Sequence, residues 1–103
     1  MLGTFLLSIF AKNIKLMKTN ILVVVDCQND FITGSLANEE AQKAVPRIVN
    51  LINNWKGVIA TTRDTHYPNY LETPEGKHLP IEHCIEGTDG WSYQSEIREA
   101  LDN

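Results

Sequence analysis

Several features that mark larger or more specialised proteins are missing from these 103 residues. The chain has only two cysteines, Cys27 and Cys84, which make no disulfide framework and predict a reducing, cytoplasmic setting. It has no cluster of lysine or arginine, and its formal net charge of -4 argues against a nucleic-acid or anionic-membrane partner. It also lacks a G-x-G-x-x-G or P-loop motif, which argues against a nucleotide-binding α/β domain.

The N-terminal segment, residues 1–16, contains no complete targeting signal. Its apolar part, residues 2–11, is too short to span a bilayer, has no basic region before it, and precedes a poor cleavage site. We expect these residues to be either an amphipathic extension or the result of a start codon assigned too early. Met17 stands just before the predicted first strand and favours the second explanation. The length allows one domain, which we predict over residues 17–103.

Five consecutive apolar residues, 21–25, predict the first strand. Four of them are β-branched, and a run without alternation is typical of a strand buried on both faces of a parallel sheet. The run ends at Asp26, at the carboxyl end of the strand, where ligands bind in open α/β sheets. A carboxylate there is costly unless it is hydrogen-bonded or used in chemistry.

After the first strand, apolar residues recur at helical spacing as far as Trp55 and predict a helix. Asn38 precedes them and is a suitable N-terminal cap. Pro46 interrupts this pattern. We therefore predict a short helical turn over residues 39–44 and a main helix that begins at Pro46. Gly57 then marks the end of the helix.

A second β-branched run, residues 58–62, predicts the next strand. A strand, a helix and a strand predict a right-handed βαβ unit, which places Asp26 and Asp64 at the same edge of the sheet. Residues 67–80, which contain three prolines, are predicted to form a long loop. Ser92 is a candidate cap for a final helix. The sequence thus predicts an α/β fold with a parallel sheet.

Asp64, His66 and His83 form a candidate metal site. Residues i and i+2 of an extended segment point the same way, so Asp64 and His66 can bind one cation. His83 can supply a second imidazole, and His78 is a weaker substitute. Two histidines and a carboxylate suit Zn²⁺ or Fe²⁺ and leave open positions. The spacing alone favours a polar loop whose side chains hydrogen-bond one another.

Three segments of the chain match a known pattern in order: DCQNDFITGSL at residues 26–36, TRDTH at residues 62–66 and EHCIEGTDG at residues 82–90. They resemble motifs of the isochorismatase-like cysteine hydrolases, the superfamily that includes nicotinamidases. The resemblance covers residues 17–103. It implies a doubly wound, Rossmann-like, three-layer α/β fold, of which this chain carries a partial, truncated sheet.

The resemblance also implies roles for individual residues. Asp26 matches the catalytic aspartate, which orients and deprotonates a cysteine thiol. Phe31 matches an aromatic residue that walls the substrate pocket, although a simple core position fits it equally well. Asp64, His66 and His83 match the ligands of a divalent metal, with Zn or Fe expected.

Neither cysteine matches the family nucleophile. Cys27 directly follows Asp26 and should face the core, and Cys84 follows His83 in the metal segment. The family's catalytic lysine and cysteine lie farther along its sequence. We therefore expect this chain to be the N-terminal part of a hydrolase acting on a small amide or related C–N bond, inactive in this short form.

The segment just before His83 differs from the nicotinamidase pattern. Nicotinamidases carry a tryptophan and a proline shortly before the histidine that matches His83, whereas this chain has Leu79-Pro80-Ile81-Glu82. The resemblance is therefore to the superfamily rather than to nicotinamidases.

The alternative function is a non-catalytic metal-binding or interaction module with the same fold. An incomplete sheet also exposes a strand edge, so a homo-oligomer is expected.

Overall fold

The computed structural model describes residues 20–103. The predictions for residues 1–16, and the domain start at residue 17, lie outside this part of the chain. In order, the elements are β1 (Ile21–Val24), α1 (Asn29–Ile32), α2 (Glu39–Asn54), β2 (Val58–Thr61), α3 (Pro74–His78) and α4 (Ser95–Asp102). Short 3-10 turns cover Tyr70–Glu72 and Asp89–Trp91. The predicted α/β class is confirmed.

The two strands are parallel neighbours, as the βαβ prediction requires. Their register pairs Ile21 with Val58 and Val24 with Thr61. The ladder continues beyond the strands, because the Thr62 N–H donates to the Val24 carbonyl at 3.0 Å. The carboxyl ends of both strands therefore meet at one edge, which Asp26 and Asp64 follow.

The crossover helix α2 is continuous, so the prediction of two helical segments separated at Pro46 is wrong. Pro46 lies inside the helix, on its exposed side. An interior proline costs roughly 3 kcal/mol. Burial of Val45 and Ile52, each 5% exposed, offsets that cost at about 1.5–3 kcal/mol per side chain. The predicted start is confirmed, because the Asn38 side chain accepts the Ala41 N–H at 3.0 Å.

The core lies on one face of the sheet, between β1 and the helices α2 and α4. Its buried members are Val24, Ile32, Val45, Ile52, Ile97 and Ala100. On the opposite face of β1, Ile21, Val23 and Val25 are 39%, 52% and 62% exposed. Within residues 20–103, the prediction that β1 is buried on both faces is therefore wrong. The second face is exposed because α2 and α4 both pack on the side of Val24.

Two details of the C-terminal half also differ from the predictions. The loop over residues 67–80 contains a 3-10 turn and α3. The cap of α4 is Gln94, whose side chain accepts the Ile97 N–H at 2.9 Å, and not Ser92. None of the helices between residues 20 and 103 combines the length and the apolar character that crossing a membrane requires.

Candidate metal centre

Asp64, His66 and His83 converge at the carboxyl edge of the sheet. The Asp64 Oδ2 atom lies 3.0 Å from His66 Nε2 and 3.4 Å from His83 Nε2. One potential ligand atom from each residue lies within 4.8 Å of the others. His83 is buried, and His66 is mostly shielded from solvent. The predicted ligand set is thus brought together, whereas His78 is on the exposed side of α3 and outside the cluster.

The orientation of His83 aims one ring nitrogen at the other potential ligands. His83 Nδ1 lies 2.8 Å from the Ile81 carbonyl, and because a carbonyl only accepts, Nδ1 is the donor of this bond. The Nε2 atom therefore faces the Asp64 carboxylate, at 3.4 Å. An imidazole nitrogen and a carboxylate at this separation are held together by a shared proton or by a metal ion that both groups bind. The donor set therefore fits Zn²⁺ or Fe²⁺.

Backbone pairing sets the two histidines side by side. The His66 N–H donates to the Cys84 carbonyl at 2.8 Å, and the Glu86 N–H donates to the His66 carbonyl at 2.8 Å. This short parallel bridge brings the segment after β2 against the segment that carries His83. The two imidazole centroids lie 4.7 Å apart as a result.

Aromatic side chains hold the imidazole rings from the sides. Tyr70, only 2% exposed, packs edge-on against His66 at 4.8 Å and against His83 at 5.1 Å between centroids. Phe31 packs against the His83 ring at 5.6 Å. The structure therefore places Phe31 beside the candidate metal ligands.

Gln28, which is fully buried, fixes the main chain of Asp64. Its side-chain oxygen accepts the Asp64 N–H at 2.8 Å, and its side-chain nitrogen donates to the Asp64 carbonyl at 2.8 Å. The same nitrogen donates to the Trp91 carbonyl at 2.9 Å. Both amide hydrogens are used, so Gln28, a residue of the first motif, positions a candidate metal ligand.

Asp30 likewise fixes the main chain of the segment that carries His83. Its carboxylate accepts the Cys84 N–H at 2.8 Å and the Ser35 N–H at 3.2 Å. Gly34 and Gly90 pack directly against this carboxylate, and a Cβ atom at either position would collide with it. The glycines of the first and third motifs therefore make room for Asp30.

Asp26 lies at the end of β1 in a left-handed backbone conformation, with φ of 49°. Its carboxylate accepts the Thr62 hydroxyl at 2.7 Å, and its N–H donates to the same hydroxyl at 3.0 Å. Asp26 is separate from the three-residue cluster of potential ligands. It is thus a fixed carboxylate at the same edge of the sheet as the candidate metal ligands.

The two thiols are poor nucleophiles in this structure. Burial, followed by the charges of Asp64, Asp30 and Asp26, raises the pKa of Cys84 to about 12. Burial, followed by the charge of Asp26, also raises the pKa of Cys27. Both thiols therefore stay protonated at neutral pH, and the thiolate is the attacking species. Cys27 packs against the core, as predicted.

Arg63 links the second motif to the residues that follow the third. Its guanidinium lies over the rings of Trp91 and Tyr93, 4.1 and 4.2 Å from their centroids. The Trp91 indole N–H donates to the Thr65 hydroxyl at 2.8 Å. These contacts hold the residues on both sides of Asp64.

Sequence analysis missed the positioning roles of Gln28, Asp30 and Tyr70. Gln28 and Asp30 lie within a quoted motif, and their polar side chains directly after a buried strand are the available signal. Their partners are 36 and 54 residues away, which local spacing does not reveal. Tyr70 lies in the segment predicted as a loop, and its partners depend on the fold of that segment.

Comparison with known proteins identifies this arrangement. A family model described as the Isochorismatase domain matches residues 20–103. The zinc complex of a pyrazinamidase from Pyrococcus horikoshii shares 33% identity over 71% of this chain, with a TM-score of 0.61. An N-carbamoylsarcosine amidase from Thermoplasma acidophilum shares 38% identity over 75% of this chain, with a TM-score of 0.58. The alignments span 43% and 44% of those two chains. Curated protein sequences gave no match.

Proposed function

Because this chain belongs to the isochorismatase family, we propose that it is the N-terminal portion of a cysteine hydrolase. The substrate class is a small amide or a related compound with a C–N bond. The observation that carries the proposal is the convergence of Asp64, His66 and His83 at the edge of the sheet where Asp26 also lies. The pyrazinamidase relative is a zinc complex, which supports Zn for this chain, with Fe as the alternative.

Each site residue has a role in this proposal. Asp64, His66 and His83 hold the metal, which would supply Lewis-acid polarisation when bound. Asp26 accepts the proton of a nucleophilic cysteine, carried by a segment other than residues 1–103, that attacks the substrate carbonyl. The C–N bond then breaks, the amine leaves with the proton that Asp26 had accepted, and the acyl group remains on the cysteine as a thioester, which water hydrolyses. The Thr62 hydroxyl keeps the Asp26 carboxylate oriented. Phe31 walls the substrate pocket beside His83.

Titration with Zn²⁺ tests the metal site. We expect the intact chain to bind one Zn²⁺ and His66→Ala to bind it at least tenfold more weakly, as about 10–100-fold is typical even for groups that only support a ligand. His78→Ala is the matched control, because this exposed histidine lies in the same region but outside the cluster. Equal, weak binding by all three proteins would remove the proposed site.

A second candidate function is a non-catalytic metal-binding module, and the raised pKa values of both thiols favour it for the chain by itself. Ammonia release from a panel of amides distinguishes the two functions. We expect none from residues 1–103 alone, and turnover when a segment with the family's lysine and cysteine continues the chain. Metal-dependent turnover by the short chain that disappears in Cys27→Ala or Cys84→Ala would show that the nucleophile is misplaced. A cytoplasmic setting suits both functions, since Cys27 and Cys84 are free thiols.

A further inference from the structure

A cavity of about 520 Å³ lies between β2 and α4, and none of the three candidate metal ligands lines it. Its lining includes the apolar side chains of Ile59 and Leu101 and two guanidinium groups, those of Arg63 and Arg98. Two cations in one cavity are a local exception in a chain of net charge -4. Because the local field decides which ions a cleft attracts, this cavity favours an anion, whereas the metal centre favours a cation.

Arg63 is held in place by aromatic rings and not by an acid. Its guanidinium lies 4.1 Å from the centroid of Trp91 and 4.2 Å from that of Tyr93. The Tyr93 ring is itself anchored, because its hydroxyl donates to the Thr61 hydroxyl at 2.8 Å. Within residues 20–103, Arg63 forms no ion pair and its guanidinium donates no hydrogen bond. Stacking leaves the N–H groups in the plane of a guanidinium available, so Arg63 offers an oriented and unused set of donors.

The second cation of the cavity, Arg98, has a weak partner. Its Nε atom lies 3.9 Å from Asp102 Oδ2, and the two side chains are 68% and 72% exposed. An exposed ion pair of this kind contributes little and exchanges readily with another anion. Asp102 also lines the cavity, so two guanidinium groups and one carboxylate give its wall a net charge of +1. A ligand with a single negative charge matches that wall better than one with two.

We propose that this cavity binds a small organic carboxylate, which pairs with Arg63 and Arg98 and places its apolar part against Ile59 and Leu101. The two oxygens of a carboxylate match the planar donors of a guanidinium, in two parallel N–H···O bonds. The fixed position of Arg63 lowers the entropy that such a pair loses on binding. A volume of about 520 Å³ is typical of sites for small molecules.

Calorimetric titration of the metal-free full chain with sodium benzoate tests this site. Benzoate carries one carboxylate and one ring, and the absence of a metal prevents it from binding as a metal ligand. We expect saturable binding by the wild type, and binding weaker by about tenfold or more in Arg63→Gln and in Arg98→Gln, because each loses a hydrogen-bonded charge pair. Arg47→Gln is the matched control, since Arg47 is exposed on α2 and outside the cavity.

The indole N–H signals of the two tryptophans locate the bound benzoate in the NMR spectrum. Trp91 lines the cavity and carries the stacked Arg63, whereas Trp55 follows α2 and lies outside the cavity. Benzoate should shift the signal of Trp91 and leave that of Trp55 in place. A Trp55→Phe protein identifies which signal belongs to which residue.

The proposal fails if the wild type shows no saturable binding, or if Arg63→Gln and Arg98→Gln bind benzoate as tightly as Arg47→Gln does. A shift of the Trp55 signal alone would place the ligand elsewhere and would also overturn it. Phenyl phosphate should bind more weakly than benzoate, and equal or tighter binding would contradict the choice of a singly charged carboxylate. If Arg63→Gln does not fold, Arg98→Gln decides, because its side chain is exposed at the surface.

Discussion

The side chain of Gln28 hydrogen-bonds to both main-chain polar groups of Asp64, as the backbone of a neighbouring strand would. Both bonds measure 2.8 Å, and Gln28 has no exposed surface. Asp64 follows β2 but lies beyond the last pair of the β1–β2 ladder. The amide thus replaces a backbone partner at the point where the sheet ends and the metal ligands begin.

Replacement of Gln28 by alanine should weaken the structure and the metal site together. Loss of the amide leaves the part-buried N–H of Asp64 unpaired, at a cost of up to about 1–3 kcal/mol, and frees a candidate metal ligand to move. We expect Zn²⁺ affinity to fall by about 10–100-fold, as for other groups that orient ligands. Urea unfolding and calorimetric titration measure the two effects.

Gln42→Ala is the control for this change. Gln42 makes one side-chain bond, to the Ile32 carbonyl, on α2 and outside the metal cluster. It should lose some stability without losing Zn²⁺ affinity. A Gln28→Ala protein that binds Zn²⁺ as tightly as Gln42→Ala would contradict the positioning role.

Asp30→Ala should lower the free energy of unfolding by about 1–3 kcal/mol, because it leaves the N–H of the fully buried Cys84 without its carboxylate acceptor. Asp102→Ala is the control, since Asp102 is exposed and its contact with Arg98 is a surface ion pair at 3.9 Å. Urea unfolding of the two variants measures the difference. Equal effects would show that the Asp30 bond adds nothing.

The raised pKa of Cys84 predicts a loss of stability in alkali. The unfolded thiol titrates near 9.0 and the folded one near 12, so the folded chain holds this proton more tightly. The stabilisation is present below pH 9 and is lost as the pH rises towards 12. Urea unfolding at pH 7 and pH 10 should therefore show a larger fall for the wild type than for Cys84→Ala.

Cys27→Ala keeps Cys84 and should still show most of the wild-type loss, because the large pKa shift is that of Cys84. The raised pKa values of Cys27 and Tyr70 also lower the stability of the folded chain in alkali. The contribution of Cys84 is therefore the difference in lost stability between the wild type and Cys84→Ala, rather than the whole loss of the wild type. The interpretation is wrong if Cys84→Ala loses as much stability between the two pH values as the wild type does.

The exposed apolar face of β1 should cause self-association. Ile21, Val23 and Val25 line it, and an exposed strand with apolar side chains invites pairing with another chain. We propose a homo-oligomer formed through this face, and we expect Val23→Lys to shift it towards the monomer in analytical ultracentrifugation. Leu71→Lys, at a similarly exposed position elsewhere, should not. A monomeric wild type, or equal shifts in both variants, would exclude this interface.

The parts of the fold that depend on local pattern were predictable from sequence. The β-branched runs around Val23 and Ile59 give the strands, and the intervening helix gives their parallel order. The prediction at Pro46 failed because a local rule about proline was outweighed by burial of Val45 and Ile52, which is a tertiary effect.

The candidate site was predictable only in part, for a related reason. The Asp64-x-His66 spacing and the resemblance identified the candidate ligands, which the fold brings together. Gln28 follows a strand, which is a local signal, but its partner lies 36 residues away and is not revealed by that position. Tyr70 lies within a segment whose prolines predicted a loop, so its approach to His66 depends on structure that the pattern does not reveal.

A metal ion bound to both His66 and His83 would also constrain the chain between them. They stand at the two ends of residues 67–82, so an ion bound to both imidazoles would close that segment into a ring. A covalent cross-link that closes a loop of about 15 residues stabilises a protein by roughly 3 kcal/mol through the entropy of the unfolded chain. The ion would act as a reversible clasp of the same kind, and its removal by a chelator would open residues 67–82 to proteases before the rest of the fold.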